Sequence, residues 1–597
     1  MPDLTTVWKY KQYDRQNAYD LVESLEIPLP IATVLSARGI NTPKKFAKFT
    51  KLDLKNIHNP FTLPDIDPVV KRLSKAIDNQ DKIFVWGDYD VDGITSTAII
   101  VTALKKMGAN LDYKVPHRIE DGYDIKVDSV NQAIAAGAQL LVSVDCGILA
   151  FETADYARSA GIDLIITDHH HPSDDGRIPE CIGVVNPNRD DPKYPGDHFK
   201  EYAAEDFKRY PFDYLAGCGI AFKVMLALAK FRGLDTMEYV NDLIEFAALG
   251  TVADVAPMLD ENKIIVNYGC SVLNNSRKPG IRELLILAGV KDVTPTSIGF
   301  QIGPRINAIG RLADSNTALS LMLAEDDFTA KMLAQKLDSA NRTRQQQQEE
   351  ATEQAIALVE KSYDLEKDHI IVIGDKKWHP GLIGLIAGKI AEMYNKPTLV
   401  CSYKEDGYAK GSCRSVAEFN ILEALKSPEA IDLFKKKKDG SPVMGGHAFA
   451  AGFELPIDNM RAMKEALNKY ASDKVGEPVK EKIVEIDSKI LFTDINLTTY
   501  NHLMKLAPFG SMNSVPVFAC KNLVVVEAKA ISNGKHLKLK LSNGEKTWIG
   551  CNAWRKGHLF KNLSAGNKID AVFNIEIDTW MNKNSLSLNI IDITINS

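Results

Sequence analysis

Ile83-Phe-Val-Trp-Gly87-Asp88-Tyr-Asp90-Val-Asp92-Gly93-Ile-Thr-Ser-Thr97 is the stretch on which the reading of this 597-residue chain turns. Its four apolar residues, Ile83 to Trp86, have the length and composition of a buried strand, and Gly87 ends it. Asp88, Asp90 and Asp92 follow at alternate positions, then Gly93 and an apolar run of helical length, Ile94 to Met107. Alternate side chains of extended backbone project to one side. Three carboxylates gathered there repel one another unless a cation sits among them, and a divalent ion with hard oxygen ligands is the usual solution. Taken alone, the stretch also suits an acidic surface loop of solvated aspartates.

The segments downstream favour the cation. From Lys82 onward, candidate strands Ile83–Trp86, Leu111–Val115, Leu140–Val144, Leu164–Thr167 and Ile182–Val185 alternate with helical patterns, which predicts a mostly parallel sheet in an α/β fold. Leu140-Leu-Val-Ser-Val runs into Asp145-Cys-Gly, and Leu164-Ile-Ile-Thr into Asp168-His-His-His-Pro. Ligands of open α/β sheets bind at the carboxyl ends of strands, so these clusters are expected to share one crevice. A fourth acid, Asp254, follows the apolar helical run Leu243–Leu249. Each has a plain structural reading: Asp145 as a helix cap, His169 or His171 as surface histidines, Asp254 as a turn residue. Aspartates and imidazoles meeting at strand ends instead suit Mn2+ or Mg2+ better than soft-ligand metals.

Bulk properties bound the class. The chain is 45% hydrophobic and 25% charged, an ordinary globular composition, and its length suits about three to four domains. A net charge of −6 requires any nucleic-acid contact to be local. Eight cysteines without a CxxC pair argue against structural zinc and a disulfide framework and for a reducing cytosol. With no signal-peptide pattern and no bilayer-length apolar run, the expectation is a cytoplasmic protein without a membrane segment.

The segments Asp90-Val-Asp92-Gly, Val144-Asp145-Cys-Gly, Thr167-Asp168-His-His and Gly250-Thr-Val-Ala-Asp254 resemble the four signature motifs of the DHH phosphoesterase superfamily. The chain as a whole resembles that superfamily's single-strand-specific 5′-to-3′ exonucleases. The resemblance implies a phosphodiesterase core with two Mn2+ or Mg2+ ions. By that resemblance Asp90, Asp92, Asp145, His169 and Asp254 are the metal ligands, and Asp88 is a further ligand or a supporting group. Asp168 and His170 orient the site or handle protons. Two ions about 4 Å apart can lower the pKa of a bridging water, polarise a phosphoryl group and stabilise the leaving oxygen. No Ser or Cys triad is evident.

Ile298-Gly-Phe-Gln-Ile-Gly-Pro-Arg305-Ile-Asn-Ala-Ile-Gly-Arg311-Leu resembles another hallmark of those exonucleases. Arg305 and Arg311 are either helix-surface arginines or bidentate phosphate ligands. Arg118, in Val115-Pro-His-Arg, matches a family arginine near the 5′ end of bound DNA. Residues Asp190 to Tyr210, polar and aromatic, read as a surface insertion or as a loop shaping the entrance.

Residues 1–80, broken by Pro28, Pro30, Pro43, Pro60 and Pro64, form a helical lead-in expected to pack on the DHH domain, which takes up 81–325. A helical pattern free of Pro and Gly, polar along Asn341-Arg-Thr-Arg-Gln-Gln-Gln-Gln-Glu-Glu, makes 326–362 a helical linker with solvated glutamines. Residues 363–475 carry Gly411-Ser412-Cys413-Arg414-Ser415 and Met444-Gly-Gly-His447-Ala-Phe-Ala-Ala-Gly-Phe, which resemble an α/β DHHA1 substrate-binding domain. There Ser412 and Arg414 fit positions that hold a 5′-terminal phosphate, and the glycines before His447 permit close backbone approach. Cys413 and Met444 depart from the usual glycine and aromatic. The lysine run Lys435 to Lys438 is a solvated helix end or a DNA contact.

Residues 480–597 alternate apolar and polar, as in Lys535-His-Leu-Lys-Leu-Lys-Leu, and Ser542-Asn-Gly-Glu signals a hairpin leading into Lys546-Thr-Trp-Ile-Gly. From Val515 to Ser597 there are 11 lysines and arginines against 6 acids. A basic β-barrel with Trp548, Trp554 and Trp580 fits an OB-fold that stacks bases, unless the tryptophans are core. Ala507-Pro-Phe-Gly and Asp578-Thr-Trp580 add to the resemblance.

The resulting expectation is a metal-dependent single-stranded-DNA exonuclease acting 5′ to 3′ in repair and recombination. It would work as a monomer, with a helicase or single-strand-binding protein as candidate partners. The alternatives are a phosphoesterase of short oligonucleotides or cyclic dinucleotides, which would have no use for the barrel, and a non-catalytic replication scaffold of the Cdc45 type, in which the ligand set would be degraded.

Overall fold

Five parallel strands form the sheet to which the opening motif belongs: β1 (Ile83–Trp86), β2 (Leu111–Lys114), β3 (Leu140–Val144), β4 (Asp163–Thr167) and β5 (Gly183–Val185). They stand in the order β2-β1-β3-β4-β5 in a computed structural model. It describes residues 5–117, 122, 124–189, 210–312, 315–416, 419–437, 440–476, 481–578 and 585–596. β1 and β3 are buried along their whole length, as strands covered on both faces must be. Ile83 is in register with Leu111 on one side and Leu140 on the other. The chain therefore reverses its direction of travel across the sheet at β1. A crevice opens at such a switch point, beyond the carboxyl ends of the strands, and the segments after β1, β3 and β4 all end there.

The predicted strands are present with edges shifted by one residue. Helix α5 (Val91–Lys106) begins three residues before the expected Ile94, because Asp90 caps it by accepting the Gly93 N–H at 3.1 Å. Helices α1 (Arg15–Leu25), α2 (Leu29–Ala37), α3 (Pro43–Thr50) and α4 (Ile66–Asn79) precede the sheet, with α6 (Val127–Ala135) and α7 (Phe151–Ser159) between its strands. Beyond it come α8 (Gly217–Phe231), α9 (Thr236–Ala253), α10 (Asp260–Leu273) and α11 (Gly303–Leu312). The apolar run expected at Leu243–Leu249 is the centre of the 18-residue α9, which delivers Asp254 from a helix end.

The chain divides into two compact units: Lys9–Asp338 with Glu485–Ser597, and Ser339–Val484 with the first eight residues. Helix α12 (Asp327–Ser362), 36 residues long, passes from one to the other. It is less uniformly polar than expected. Ala330, Ala334 and Leu337 are buried at one end, and Ala351, Ala355 and Val359 join a core at the other. Gln345, Gln346 and Gln347 are exposed between them.

In the Ser339–Val484 unit, β6 (Ile371–Asp375), β7 (Thr398–Tyr403), β8 (Tyr408–Arg414), β9 (Met444–His447) and β10 (Ala450–Pro456) form a mixed sheet in the order β9-β10-β8-β7-β6. Helix α13 (Ile383–Tyr394) packs on β7 and β8.

The C-terminal strands β11 (Phe518–Ile531), β12 (His536–Ser542), β13 (Ile549–Ala553), β14 (Lys568–Asp578) and β15 (Ser585–Ile595) close a barrel, because β11 pairs with both β12 and β14. Leu537, Leu539 and Leu541 point inward, as their alternation predicts. The hairpin expected at Ser542-Asn-Gly-Glu is instead a longer loop, since β13 starts only at Ile549. The lead-in also departs from expectation. Helices α1 and α2 bury Leu21, Ile31 and Leu35 in one core with Phe518, Leu541 and Phe573 of the barrel, while α4 packs on α8.

Candidate metal centre

Four segments converge beyond the strand ends. Asp88, Asp90 and Asp145 place ligand atoms within 4.8 Å of one another, as do Asp92, His169 and Asp254, and Asp145, His169 and His170. Asp145 and His169 each belong to two of these groups, so the three overlap in one continuous cluster. His169 Nε2 lies 3.3 Å from Asp145 Oδ1 and 3.9 Å from Asp92 Oδ2, and its Nδ1 lies 4.0 Å from Asp254 Oδ2.

Backbone geometry holds the carboxylates. Asp92, in the first turn of α5, accepts the N–H groups of Gly217 (2.7 Å) and Cys218 (2.8 Å) at the start of α8. A helix N-terminus favours such an anion. Gly93 is obligatory, since a Cβ there would lie 2.4 Å from the Asp88 carbonyl oxygen. Asp145 adopts φ 63°, a left-handed conformation that aspartate tolerates better than most residues. It is buried, and its Oδ1 accepts no hydrogen bond among the described residues. Asp254 caps the C-terminus of α9, where the helix dipole disfavours a negative charge.

The electrostatics call for a cation. Among the described residues no lysine or arginine forms an ion pair with Asp90, Asp92, Asp145 or Asp254. Burial, then the neighbouring Asp92, pushes Asp90 up, and Asp145 rises well above the carboxylate range for the same reasons. Asp254 is pushed up to about 8 by burial and by Asp92. Burial lowers His169, which keeps its imidazole neutral and able to ligate. Oxygen donors, the neutral His169 imidazole and clustered carboxyl groups fit Mn2+ or Mg2+.

Asp168 serves differently. Fully buried, it accepts from Ile148 N (2.9 Å), His169 N (2.8 Å), His170 N (3.1 Å) and His170 Nδ1 (2.7 Å). Burial alone would raise this carboxyl, but the hydrogen bond and charge of His170 bring it below its ordinary value. Despite burial, the same contact lifts His170 to about 9.

Residues the sequence reading passed over complete the centre. Asn186 Nδ2 donates to the His170 carbonyl (2.8 Å) and Asn188 Nδ2 to that of His169 (2.5 Å), which fixes the histidine loop. Gly217 and Gly250 make room: a Cβ would lie 2.4 Å from Asp145 Oδ1 at the first and 2.8 Å from Asp92 Oδ1 at the second. Asn186-Pro-Asn188 just after β5 and Gly217-Cys-Gly at a helix start were the available signals. Asp124, with φ 77°, is pushed up to about 6 by burial.

The predicted phosphate ligands fall apart into separate places. Arg305 is held by Asp338 (Nε to Oδ1, 3.0 Å) and the Gln301 carbonyl (2.6 Å). Arg311 belongs to α11, but its side chain lies outside the described residues, as do Arg118, Trp580, Lys438 and residues 190–209. In the other unit, Ser412 and Arg414 share one face of β8, and Cys413 points into the core, so its departure from glycine does not alter that face. A Cβ on Gly384, in the first turn of α13, would lie 3.1 Å from both Arg414 Nη2 and Ser412 Oγ. His447, Ala450 and Arg414 are in register across three strands. Lys435 and Lys436 are ion-paired with Glu454 (2.9 Å) and Asp432 (3.0 Å). On the barrel, Trp548 and Trp554 are 51% and 53% exposed and are not core.

Models of the DHH family N-terminal domain, the DHHA1 domain and the RecJ OB domain match residues 82–251, 367–473 and 486–592. The single-stranded-DNA-specific exonuclease RecJ of Bacillus subtilis (strain 168) is 31% identical over 592 residues, covering 98% of this chain and 71% of the relative. The chain belongs to the RecJ family. RecJ of Escherichia coli (strain K12), also a single-stranded-DNA-specific exonuclease, is 32% identical over 511 residues, covering 83% of each chain. The crystal structure of RecJ in complex with Mn2+ from Thermus thermophilus superposes with a TM-score of 0.80 at 26% identity, covering 100% of this chain and 80% of that one.

Proposed function

We propose that this chain hydrolyses single-stranded DNA from the 5′ end in DNA repair and recombination, with Mn2+ or Mg2+ as its cofactor. The observation that carries the reading is the convergence of Asp88, Asp90, Asp92, Asp145, His169 and Asp254 in ligand groups linked through Asp145 and His169. Asp90, Asp92, Asp145, His169 and Asp254 would hold the ions, with Asp88 beside them. Divalent ions there lower the pKa of water and neutralise charge building on the phosphoryl oxygens. Asp168 fixes the His170 ring through Nδ1, and the opposite nitrogen is suited to passing a proton to or from a phosphodiester oxygen.

The divisions 81–325, 363–475 and 480–597 belong to the same reading, supported by the three family matches. Ser412, Arg414 and His447 would bind the 5′-terminal phosphate, with the start of α13 beside them as an anion-favouring element. Arg118, Arg305 and Arg311 would contact the strand backbone. The barrel supports a polymer over a cyclic dinucleotide, and the complete ligand set supports an enzyme over a scaffold. Lys529 stands directly opposite Lys538 in the barrel sheet. Like charges in register cost stability, and an anionic strand would relieve them. A monomer receiving its strand from a helicase or single-strand-binding protein fits a 5′-end enzyme. Eight free thiols fit the cytoplasm, and among the described residues no helix is long and apolar enough to cross a membrane.

The test is digestion of 5′- and of 3′-labelled single strands, with and without Mn2+ and with the 5′ phosphate kept or removed. Label should leave the 5′ end first, only with metal, and faster with the phosphate in place. Loss from the 3′ end first, or equal attack on blunt duplex, would refute the reading.

A further inference from the structure

Phe300 is 80% exposed, an unusual place for a phenyl ring in a core segment of the catalytic unit. It lies in a π-helical turn, Ile298–Ile302, whose closing bond runs from Gly303 N–H to the Ile298 carbonyl. Such turns are rare and are frequently found at functional sites. The glycines flanking Phe300 locate it: a Cβ on Gly299 would lie 4.0 Å from Val252 Cγ1, and one on Gly303 3.6 Å from Ala253 Cβ. Val252 and Ala253 immediately precede Asp254. Farther along α11, a Cβ on Gly310 would lie 2.9 Å from the Tyr89 carbonyl oxygen, between Asp88 and Asp90. The segment bearing Phe300 thus rests on two of the three stretches that supply metal-centre carboxylates, those of Asp254 and of Asp88 to Asp92.

A second anomaly adjoins it. Val255 follows Asp254 with φ 60° and is 67% exposed. A β-branched residue in the left-handed region is a true outlier. A π turn and a left-handed valine therefore hold apolar side chains in solvent on segments that adjoin a centre built for phosphodiesters. Folding alone would favour polar residues at both positions. A ligand with a phosphate and a flat apolar face satisfies the phenyl ring and the metal centre together, and an unpaired nucleotide is such a ligand.

We propose that Phe300, flanked by Val255, is a base platform: its ring stacks on an unpaired nucleobase adjoining the phosphodiester at the metal centre. A base inside a duplex is stacked on its neighbours and cannot present that face, so the platform selects single strands at the point of cleavage. The inference rests on the exonuclease reading above.

The test compares wild type, Phe300→Ala and Phe300→Tyr in the full chain with Mn2+, on a single strand and on the same strand with an abasic residue at each of the first positions from the 5′ end. Stacking on one base predicts that Phe300→Ala raises KM roughly tenfold with kcat nearly unchanged, and that Phe300→Tyr restores it. One abasic position should reproduce the loss in wild type and add nothing to Phe300→Ala. A wild-type KM for Phe300→Ala, or abasic losses that add to it at every position, would overturn the platform. If Phe300→Ala does not fold, Phe300→Leu, which keeps bulk and loses the ring, gives the same two outcomes. Failure of the wild type itself to cleave single strands would count against the exonuclease reading and not the platform.

Discussion

The backbone N–H of Gly217 donates to Asp92 Oδ2 at 2.7 Å across 125 residues of sequence, and the same glycine borders Asp145. One residue thus orients one candidate ligand by donation and admits another by lacking a side chain. Gly217→Ala would force a methyl group to within 2.4 Å of Asp145 Oδ1. The carboxylate must move, since backbone on the other side cannot. Supporting contacts of metal ligands typically govern affinity by about 10–100-fold, so Mn2+ affinity should fall by that factor and nuclease activity with it. Calorimetric titration of Mn2+ checks this; wild-type affinity would mean that the helix start adapts.

Asp145→Asn separates the cost of the centre from its use. In the absence of ions Asp145 is a buried carboxyl with one oxygen lacking a hydrogen bond among the described residues and acidic neighbours on several sides. Asparagine keeps the shape, tolerates φ 63° and cannot ionise, so it escapes the cost of burying or protonating a carboxyl among acidic neighbours. In EDTA the variant should melt at or above the wild-type temperature, by about 2–4 °C for each kcal/mol of relieved repulsion. Mn2+ should stabilise the wild type and leave the variant nearly unmoved, and nuclease activity should be lost. A variant that melts lower in EDTA would show that the carboxylate is structurally needed.

Lys263 supplies a pH dependence remote from the metal centre. Its Nζ is buried, donates to the Leu506 carbonyl at 2.9 Å and lies 3.4 Å from the centre of the Phe49 ring. Burial, with a smaller contribution from Arg38, lowers its pKa to about 7. Between that value and the ordinary lysine value near 10.5 the unfolded chain binds a proton that the folded chain does not. Stability from this group is therefore full above the unfolded pKa and is lost as pH falls toward 7, with a slope of at most about 1.4 kcal/mol per pH unit. Lys263→Met should flatten the dependence of melting temperature on pH between 7 and 10, whatever constant offset the lost hydrogen bond adds. Parallel curves for the two proteins would refute the assignment.

The legible features were those written locally. The strands end in Asp145 and in Asp168-His169-His170 because a four- or five-residue apolar run followed by polar residues is a strand-end signal readable without a partner. Asp254 was legible as the acid after the apolar helical run Leu243–Leu249, but its place as the helix cap did not show because apolar length alone does not place a helix terminus. Gly217 donates its own backbone N–H to the Asp92 carboxylate, and Asn188 its amide to the His169 carbonyl, and no periodicity records such contacts. The sharing of one core by Leu21, Ile31 and the barrel residue Phe518 is likewise a tertiary fact; each helix reads only as amphipathic or apolar. Arg305 shows the converse, since its motif announces a guanidinium for phosphate but records nothing of the Asp338 carboxylate that accepts from its Nε.

That shared core decides how the barrel's role must be tested. Removing residues 480–597 would uncover the apolar faces of α1 and α2, so a truncated chain would report misfolding along with lost binding. Point substitutions on the exposed face avoid this. Trp548 lies under Lys540, whose Nζ is 4.6 Å from the ring centre, and Trp554 stands edge-on to His536 at 5.1 Å. With Lys529 and Lys538 on the neighbouring strands they combine stacking surfaces with positive charge, the two components of non-specific single-strand binding. Replacing both tryptophans with alanine should leave the melting temperature nearly unchanged, because half of each side chain is already in water. Affinity for long strands should fall roughly 10- to 100-fold, while oligonucleotides shorter than the roughly 4–16 nucleotides covered by one OB-fold are cleaved as before. Steady-state KM against oligonucleotide length makes the comparison. Equal losses on short and long strands would place the tryptophans in the path to the metal centre, and no loss on either would leave the face to some other partner.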